Sequence, residues 1–350
     1  MPTLSYRQPA LTLTKGGAGA SARQIRELQR DLRRLGYLKR GIDGGFGDQT
    51  ELTVKGLQHD LQNNTGGGSD GAPPVMLTDF SKGRVKSVSG EVDQALVECI
   101  SDMLDDANFP KLPSATNPVQ ENQKVVSQIA ALPPSTVPIP FLMAILQQES
   151  GLKHFNEPKA GDEDTYITVG LDRNVKDQPH IITSRGYGAG QYTLFHHPPQ
   201  AREVTDFMLD VGQNVRKAVT ELADKLDHFV SGPTSGARAE DRIAEFGSGP
   251  LLRCKYAAGD PRVLRDCKQC LLDAGPQDIK QDTTPVFTGS GLIFTSTPNY
   301  DMDRDAAVYS GVPVRKKIGC DWPYAVRRYN GSGINSYHYQ VRVLQHLLAL

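Results

Sequence analysis

Residues 41–48 read GIDGGFGD, with an apolar-periodic segment on either side. A run this rich in glycine ends any helix that enters it and admits backbone angles closed to other residues. Upstream, Ile25, Leu28, Leu32 and Leu35 recur at spacings of 3, 4 and 3, one face of a helix. Ser21 is the expected N-cap and Gly36 the expected stop. Downstream, Asp48 is expected to cap a second helix carrying Val54, Leu57 and Leu61. Two amphipathic helices clamped over a tight turn make a small core, with room to bind a ligand but little for a deep catalytic cleft.

The chain has 350 residues, enough for two or three domains. Its formal net charge of -1 sets up no global field toward nucleic acid or anionic lipid, so neither is an expected partner. No stretch of 18 apolar residues occurs, so no membrane span is expected. The opening MPTLSYRQPALTLTKGG lacks a basic start followed by an apolar core. We therefore expect no Sec signal, synthesis in the cytoplasm and export by another route.

Residues 11–62 form the first expected unit. NNTGGGSDGAPP, residues 63–74, has no apolar periodicity and reads as a linker. Residues 75–350 form a larger unit with a loop-rich insertion at about 232–322. Helical patterns run through Val92, Leu96, Ile100 and Met103, through Val204 to Phe229, and through Val341, Leu344 and Leu348. Strand-like runs are short, at Tyr166 to Leu171 and His180 to Thr183. The expected fold class is mainly α: a small helical domain plus an α+β domain with a small β-hairpin.

IRELQRDLRRLGYLKRGIDGGFGDQTELTVKGLQHDL resembles the type 1 peptidoglycan-binding domain. Leu28, Gln29, Leu32, Leu35, Gly36, Tyr37, Asp43, Gly44, Phe46, Gly47, Thr50 and Gln58 match its pattern in order. Leu57 stands where the family usually has Phe, and the second half-repeat is missing. The resemblance implies peptidoglycan as a partner, held through Tyr37, Asp43, Phe46 and Thr50.

In IPFLMAILQQESGLKHF, Pro140 suits a first helical turn, and Phe141, Leu142, Ile145 and Leu146 form an apolar stripe. Glu149 falls four residues after Ile145, on the same inward face, in the last turn before Gly151. Burial and the negative end of the helix dipole both favour a protonated carboxyl there. A carboxylic acid that stays protonated near neutral pH can give a proton to a leaving glycosidic oxygen. The same residue could also be an ordinary solvated glutamate at a helix end.

Two later pieces change that balance: ITSRGYGAGQYTLF and AVRRYNGSGINSYHYQVRVL. With Glu149–Ser150, they resemble the lysozyme-like superfamily of soluble lytic transglycosylases and goose-type lysozymes. Its members place an ES pair at the end of a buried helix. A G-x-x-Q element on a hairpin follows, then an A-x-x-x-YN element before a closing helix. By that resemblance Glu149 is the acid/base, and Ser150, Gln191 and Tyr192 line a saccharide cleft. Tyr329 packs against or hydrogen-bonds the carboxyl, and Asn330 shapes a subsite. The hairpin here reads GAGQ where the family usually has GLMQ. Bland readings stand beside these: Gln191 as a turn residue, Tyr329 as a core aromatic, and His196–His197 as a structural helix entry.

A hydrolase wants a second carboxylate, whereas a lytic transglycosylase lets the substrate's own hydroxyl attack. Asp172, after the apolar run YITVGL, is the expected second carboxylate, with hydrolysis narrowly favoured. GDED, residues 161–164, reads as a solvated acidic loop.

Cys254, Cys267 and Cys270 read C-x12-C-x2-C with Cys320 as a fourth member; disulfides, zinc and free thiols all fit. Disulfides formed after export are favoured, with Cys99 left over. No cofactor or resident metal is expected; alternating Asp301, Asp303 and Asp305 offer a weak calcium pattern.

The expected function is a muramidase cutting the β-1,4 bond between N-acetylmuramic acid and N-acetylglucosamine. It would act in the periplasm or on the wall of a target cell, as an antibacterial effector of a type VI secretion machine. An immunity protein and a secretion component would then be partners. A lytic transglycosylase, a phage endolysin and a wall-binding protein with an inactive lysozyme-like domain are the alternatives.

Overall fold

The computed structural model describes residues 5–8, 11–17, 19–66, 75–135, 137–227, 285–288, 291–294, 321–331, 339–340, 342–343, 346–347 and 349–350. The chain is mainly α-helical with a small antiparallel sheet. It forms two units: Met1–Ala130 with Leu152–Val215, and Ala131–Gly151 with Arg216–Leu350. No helix among the described residues is long and apolar enough to cross a membrane.

In the first unit, helix α1 (Ala22–Arg34) starts where Ser21 predicts. Ser21 accepts from the Gln24 N–H and Gln24 reaches back to the Ser21 N–H, a reciprocal cap. Helix α2 (Asp48–Asn63) differs from expectation at its start: Gly47 is the N-cap and Asp48 is already helical. Asp48 is an acid in the first turn, where the helix dipole favours it, and it pairs with Lys15. Gly44 (φ +81°) turns the chain back beneath α1, and a Cβ there would lie 2.7 Å from the Ala22 carbonyl oxygen.

Helices α3 (Leu77–Ser81), α4 (Gln94–Asp105) and α5 (Pro118–Ala130) follow. Leu28, Leu32, Leu57 and Leu61 share one apolar core with Leu77, Val92, Leu96, Ile100 and Met103. Residues on both sides of the expected linker thus pack together; residues 67–74 of that linker lie outside the described ones. Val92 precedes α4 rather than joining it, and pairs as an isolated bridge with Leu13.

The sheet has three strands in the order β1 (Val169–Asp172), β2 (Ser184–Tyr187) and β3 (Tyr192–Leu194). Gly170 lies opposite Gly186, and Tyr187 opposite Tyr192. The second strand starts after the expected run His180 to Thr183, because Arg185 and Tyr187, buried on this strand, anchor it. The expected long helix from Val204 is broken: α7 (Ala201–Glu203) runs into a π-turn at Val204–Met208, and α8 (Val211–Leu226) follows.

The acidic loop 161–164 is solvated only in part: Gly161 and Glu163 are exposed, but Asp164 is not. Asp164 is 1% exposed and forms an ion pair of 3.0 Å with fully buried Arg33. Its carboxylate also accepts from the Gly41 and Tyr166 N–H groups and from Asn156. Asp162 accepts from the Ile42 N–H at 2.7 Å, and Glu163 pairs with Arg30. A carboxylate leaves water when this many donors converge on it.

The second unit contains α6 (Ile139–Ser150), α9 (Asp321–Tyr329) and helical residues near the C-terminus. Phe141 and Trp322 bring α6 and α9 together, with ring centroids 6.5 Å apart. A further hairpin pairs β4 (Pro285–Thr288) with β5 (Gly291–Phe294). Most of the expected insertion, Cys254, Cys267, Cys270 and Cys320, and Asp301, Asp303 and Asp305 lie outside the described residues. Cys99 is a buried free thiol on α4.

Candidate functional site

In the second unit, Phe141, Leu142, Ala144, Ile145 and Leu146 bury the apolar face of α6. Gly151 (φ +66°) closes the helix, as expected. Glu149 is half-buried in the last turn. The Tyr339 hydroxyl donates to Glu149 Oε1 at 2.6 Å. Tyr339 is 7% exposed, and burial, with the Glu149 carboxylate beside it, holds its phenol well above the ordinary tyrosine range. Tyr339 therefore stays a hydrogen-bond donor throughout the neutral range. Tyr329 ends α9, and its phenol is raised by loss of water and then by the charges of Glu149 and Glu221. Two phenols thus attend one carboxyl group. The Tyr339 hydrogen bond orients the Glu149 carboxyl. His346 lies 3.3 Å from Gln148, one residue before the acid.

Sequence reasoning singles out Glu149 and Tyr329 but not Tyr339, which sits 190 residues away in SYHYQ, inside the quoted C-terminal piece but past its YN element. It also misses Glu221 of α8, the other carboxylate whose charge reaches Tyr329. Ser150 donates to the Leu146 carbonyl of its own helix at 3.1 Å. Asn330 is exposed just past α9.

The remaining expected saccharide residues belong to the first unit. Gly188 to Gln191 form the β2–β3 turn, with Gln191 itself at φ +49°. Gln191 Nε2 donates to the Gly188 carbonyl at 2.7 Å. Tyr192 is half-buried, its ring edge-on to Phe207 at 4.8 Å. Asp172, the expected second carboxylate, ends β1 on the surface and accepts from the Ser184 hydroxyl at 2.5 Å.

Two of the four expected wall-contacting residues prove internal. Tyr37 is fully buried, with its hydroxyl on Asp60 at 2.7 Å. Thr50 is 2% exposed and within 3.2 Å of the Gln29 amide. Both match the motif because the turn and core need them, and side chains so placed do not reach a polymer outside. Asp43 braces the glycine turn, accepting from Gln29 and from the Gly45 N–H. Phe46 does face a cleft of about 270 Å³, shared with Leu13, Gly17, Ile25 and Gly44. A second depression, about 400 Å³, is lined by Arg23, Arg26, Glu27, Arg30 and Glu163. The helix-face periodicity of arginine in RQIRELQR could have flagged it.

His196 pairs with Glu203 at 2.8 Å, and His197 is buried edge-on to Tyr37, so both are structural as expected.

Residues 21–66 match the family model of a putative peptidoglycan binding domain. No curated protein and no solved structure matches the chain. The match supports a cell-wall-related role with peptidoglycan as a partner.

Proposed function

We propose that the chain, starting from a module that binds the bacterial wall, is a peptidoglycan glycosidase with Glu149 as its general acid. The observation that carries the reading is the 2.6 Å hydrogen bond from buried Tyr339 to a half-buried glutamate at the end of an apolar helix. A structural glutamate at a helix C-terminus opposes the helix dipole, and burial adds a desolvation cost. Those two costs favour a protonated carboxyl able to donate to a glycosidic oxygen, while the Tyr339 hydroxyl orients it. In this reading Glu149 protonates the oxygen linking N-acetylmuramic acid to N-acetylglucosamine, and Tyr339 keeps the carboxyl in one rotamer.

The attacking group defines two versions. In hydrolysis a second carboxylate activates water, and Glu221, in the same unit as Glu149, is the candidate. In transglycosylation the muramic acid hydroxyl attacks and no second carboxylate is needed. Export as an antibacterial effector, with an immunity protein covering the Glu149 face, belongs to the same proposal and rests on the pairing of wall binding with wall cutting. The arginine-lined depression on α1 offers charge for the stem-peptide carboxylates of the wall.

The test is digestion of purified sacculi by the wild type and Glu149→Gln, with mass analysis of the soluble fragments. Fragments from the wild type alone support the reading. Reducing ends assign hydrolysis, after which Glu221→Gln tests the base, and anhydro ends assign transglycosylation. Equal release by both proteins, or release by neither, defeats the assignment of Glu149.

A further inference from the structure

Helix α1 has two faces. Ile25, Leu28 and Leu32 are buried. Arg23, Arg26 and Arg30 repeat at the same spacing two residues earlier, on the opposite side of the helix. With Glu27 and Glu163 they line the depression of about 400 Å³. Three guanidinium groups there face two carboxylates, so positive charge is in excess. The formal net charge of the chain is -1, so this field is local.

Glu163 shows what the depression can hold. Arg30 Nη2 donates to its Oε2 at 2.7 Å, and Arg26 Nε stands 3.6 Å from its Oε1. One carboxylate is thus shared between guanidinium groups on successive turns of one helix. Its hold is incomplete. Arg26 Nε is buried and finds no hydrogen-bond partner among the described residues. Arg23 is largely exposed, and its Nε lies 3.7 Å from Glu27, too far for a hydrogen bond.

Glu163 is also placed to leave. Its side chain is half-exposed, while its backbone N–H is held by the Ile42 carbonyl at 3.2 Å. A change of rotamer is therefore enough to empty the site. Exposed ion pairs contribute little net stability, so exchanging this carboxylate for another costs little. The flanking acids cannot do the same, because Asp162 accepts from the Ile42 N–H and Asp164 is buried against Arg33.

The family match at residues 21–66 contains the whole of α1 and supports peptidoglycan as a partner. The anionic groups of that polymer are the carboxylates of its stem peptides. We propose that the α1 depression is a carboxylate-binding site in which Glu163 holds the place of a stem-peptide carboxylate, which displaces it when the chain engages the wall. The inference deepens the wall-binding part of the proposed function, rests on that part, and does not depend on Glu149.

Binding of the full-length chain to purified sacculi freed of phosphate polymers, measured on ice, tests it. The competitors are soluble stem tetrapeptide, the same peptide with its carboxylates amidated, and inorganic phosphate. Arg26→Gln and Arg30→Gln should each raise Kd about fivefold to tenfold, the loss expected for one exposed charge-assisted hydrogen bond. Glu163→Gln removes the internal competitor at constant shape and should lower Kd about threefold. The opposite signs separate a binding role from damage to the fold, which would weaken every variant. The tetrapeptide should compete, and its amidated form should not. Unchanged Kd in both arginine variants, weaker binding by Glu163→Gln, or equal competition by the amidated peptide or by phosphate overturns the inference and leaves wall binding standing. A wild type that does not bind sacculi overturns the wall-binding reading and the inference together. A wild type that binds but cuts nothing defeats only the glycosidase reading.

Discussion

At Glu149 one hydrogen-bond partner is the Tyr339 phenol. Tyr339→Phe keeps the ring in place and deletes only the hydroxyl that holds Oε1. A hydrogen bond of this kind contributes about 1.5–3 kcal/mol, so kcat should fall about tenfold to a hundredfold in a sacculus-release assay. Wild-type rates for Tyr339→Phe would mean that the phenol is only packing. Titration of buried side chains gives a second prediction. The folded-state pKa of His154 is about 4, below the ordinary 6.5, so the unfolded chain takes up its proton first as pH falls. Its contribution to stability is complete above pH 6.5 and is lost down to about pH 4, on the order of 3 kcal/mol. His197, also pushed down by burial, adds a loss of the same sign. Asp60 acts in a lower window. Burial would raise its pKa, but His59, Arg185, His197 and the Tyr37 hydroxyl outweigh that and hold it at about 2. Its contribution is present above pH 4 and disappears as pH falls toward 2. Urea midpoints measured from pH 7 to 3 should fall steadily, with a shallower slope between 6.5 and 4 in His154→Gln. An identical slope in the variant would show that His154 titrates normally.

Between elements, one link is the fully buried pair of Arg33 on α1 and Asp164 on the acidic loop. Arg33 also donates to the carbonyls of Leu38 and Ile167, so it fastens the glycine turn to the segment entering β1. Arg33→Met strands a buried carboxylate and Asp164→Asn strands a buried guanidinium, each costing about 3–5 kcal/mol in urea unfolding. The double variant should cost clearly less than the sum; strict additivity would mean that the two groups do not share one interaction. This pair also marks what the sequence can tell. Helix α1 is legible because cap, periodicity and stop all lie within 16 residues, Ser21 to Gly36. The hairpin turn is legible from its glycines and Gln191. The solvated reading of residues 161–164 fails at Asp164 because no local signal says that the donors of Gly41 and Arg33 wait more than 100 residues upstream. Helix α5 escapes notice because Val119 and Val126 lie on its exposed side and blur the apolar stripe. Tyr37 and Thr50 show the converse limit: a motif match identifies residues the fold requires, and burial decides whether a ligand can touch them.

For the whole first unit, the segment that matches the wall-binding family packs into a core larger than itself. Its leucines share a core with Leu77, Val92, Leu96, Ile100 and Met103, and its buried arginine is neutralised from residue 164. The strand residue Arg185 reaches the same segment, donating to the Gly36 carbonyl and pairing with Asp60 at 3.3 Å. A segment of about 50 residues is already near the lower limit for independent folding. Removing these partners exposes leucines and leaves Arg33 and Asp60 without their counter-charges. Residues 11–62 expressed alone should therefore lack a cooperative thermal transition and should bind sacculi much more weakly than the full chain. A fragment with a sharp transition and full wall affinity would show that the shared core is dispensable. Under the shared-core account, wall binding and the Gln191 turn are coupled through one folded body. Asp60→Ala, which removes the partner of both Tyr37 and Arg185, should then weaken sacculus binding and perturb the Ala189 and Gly190 amides in the same protein.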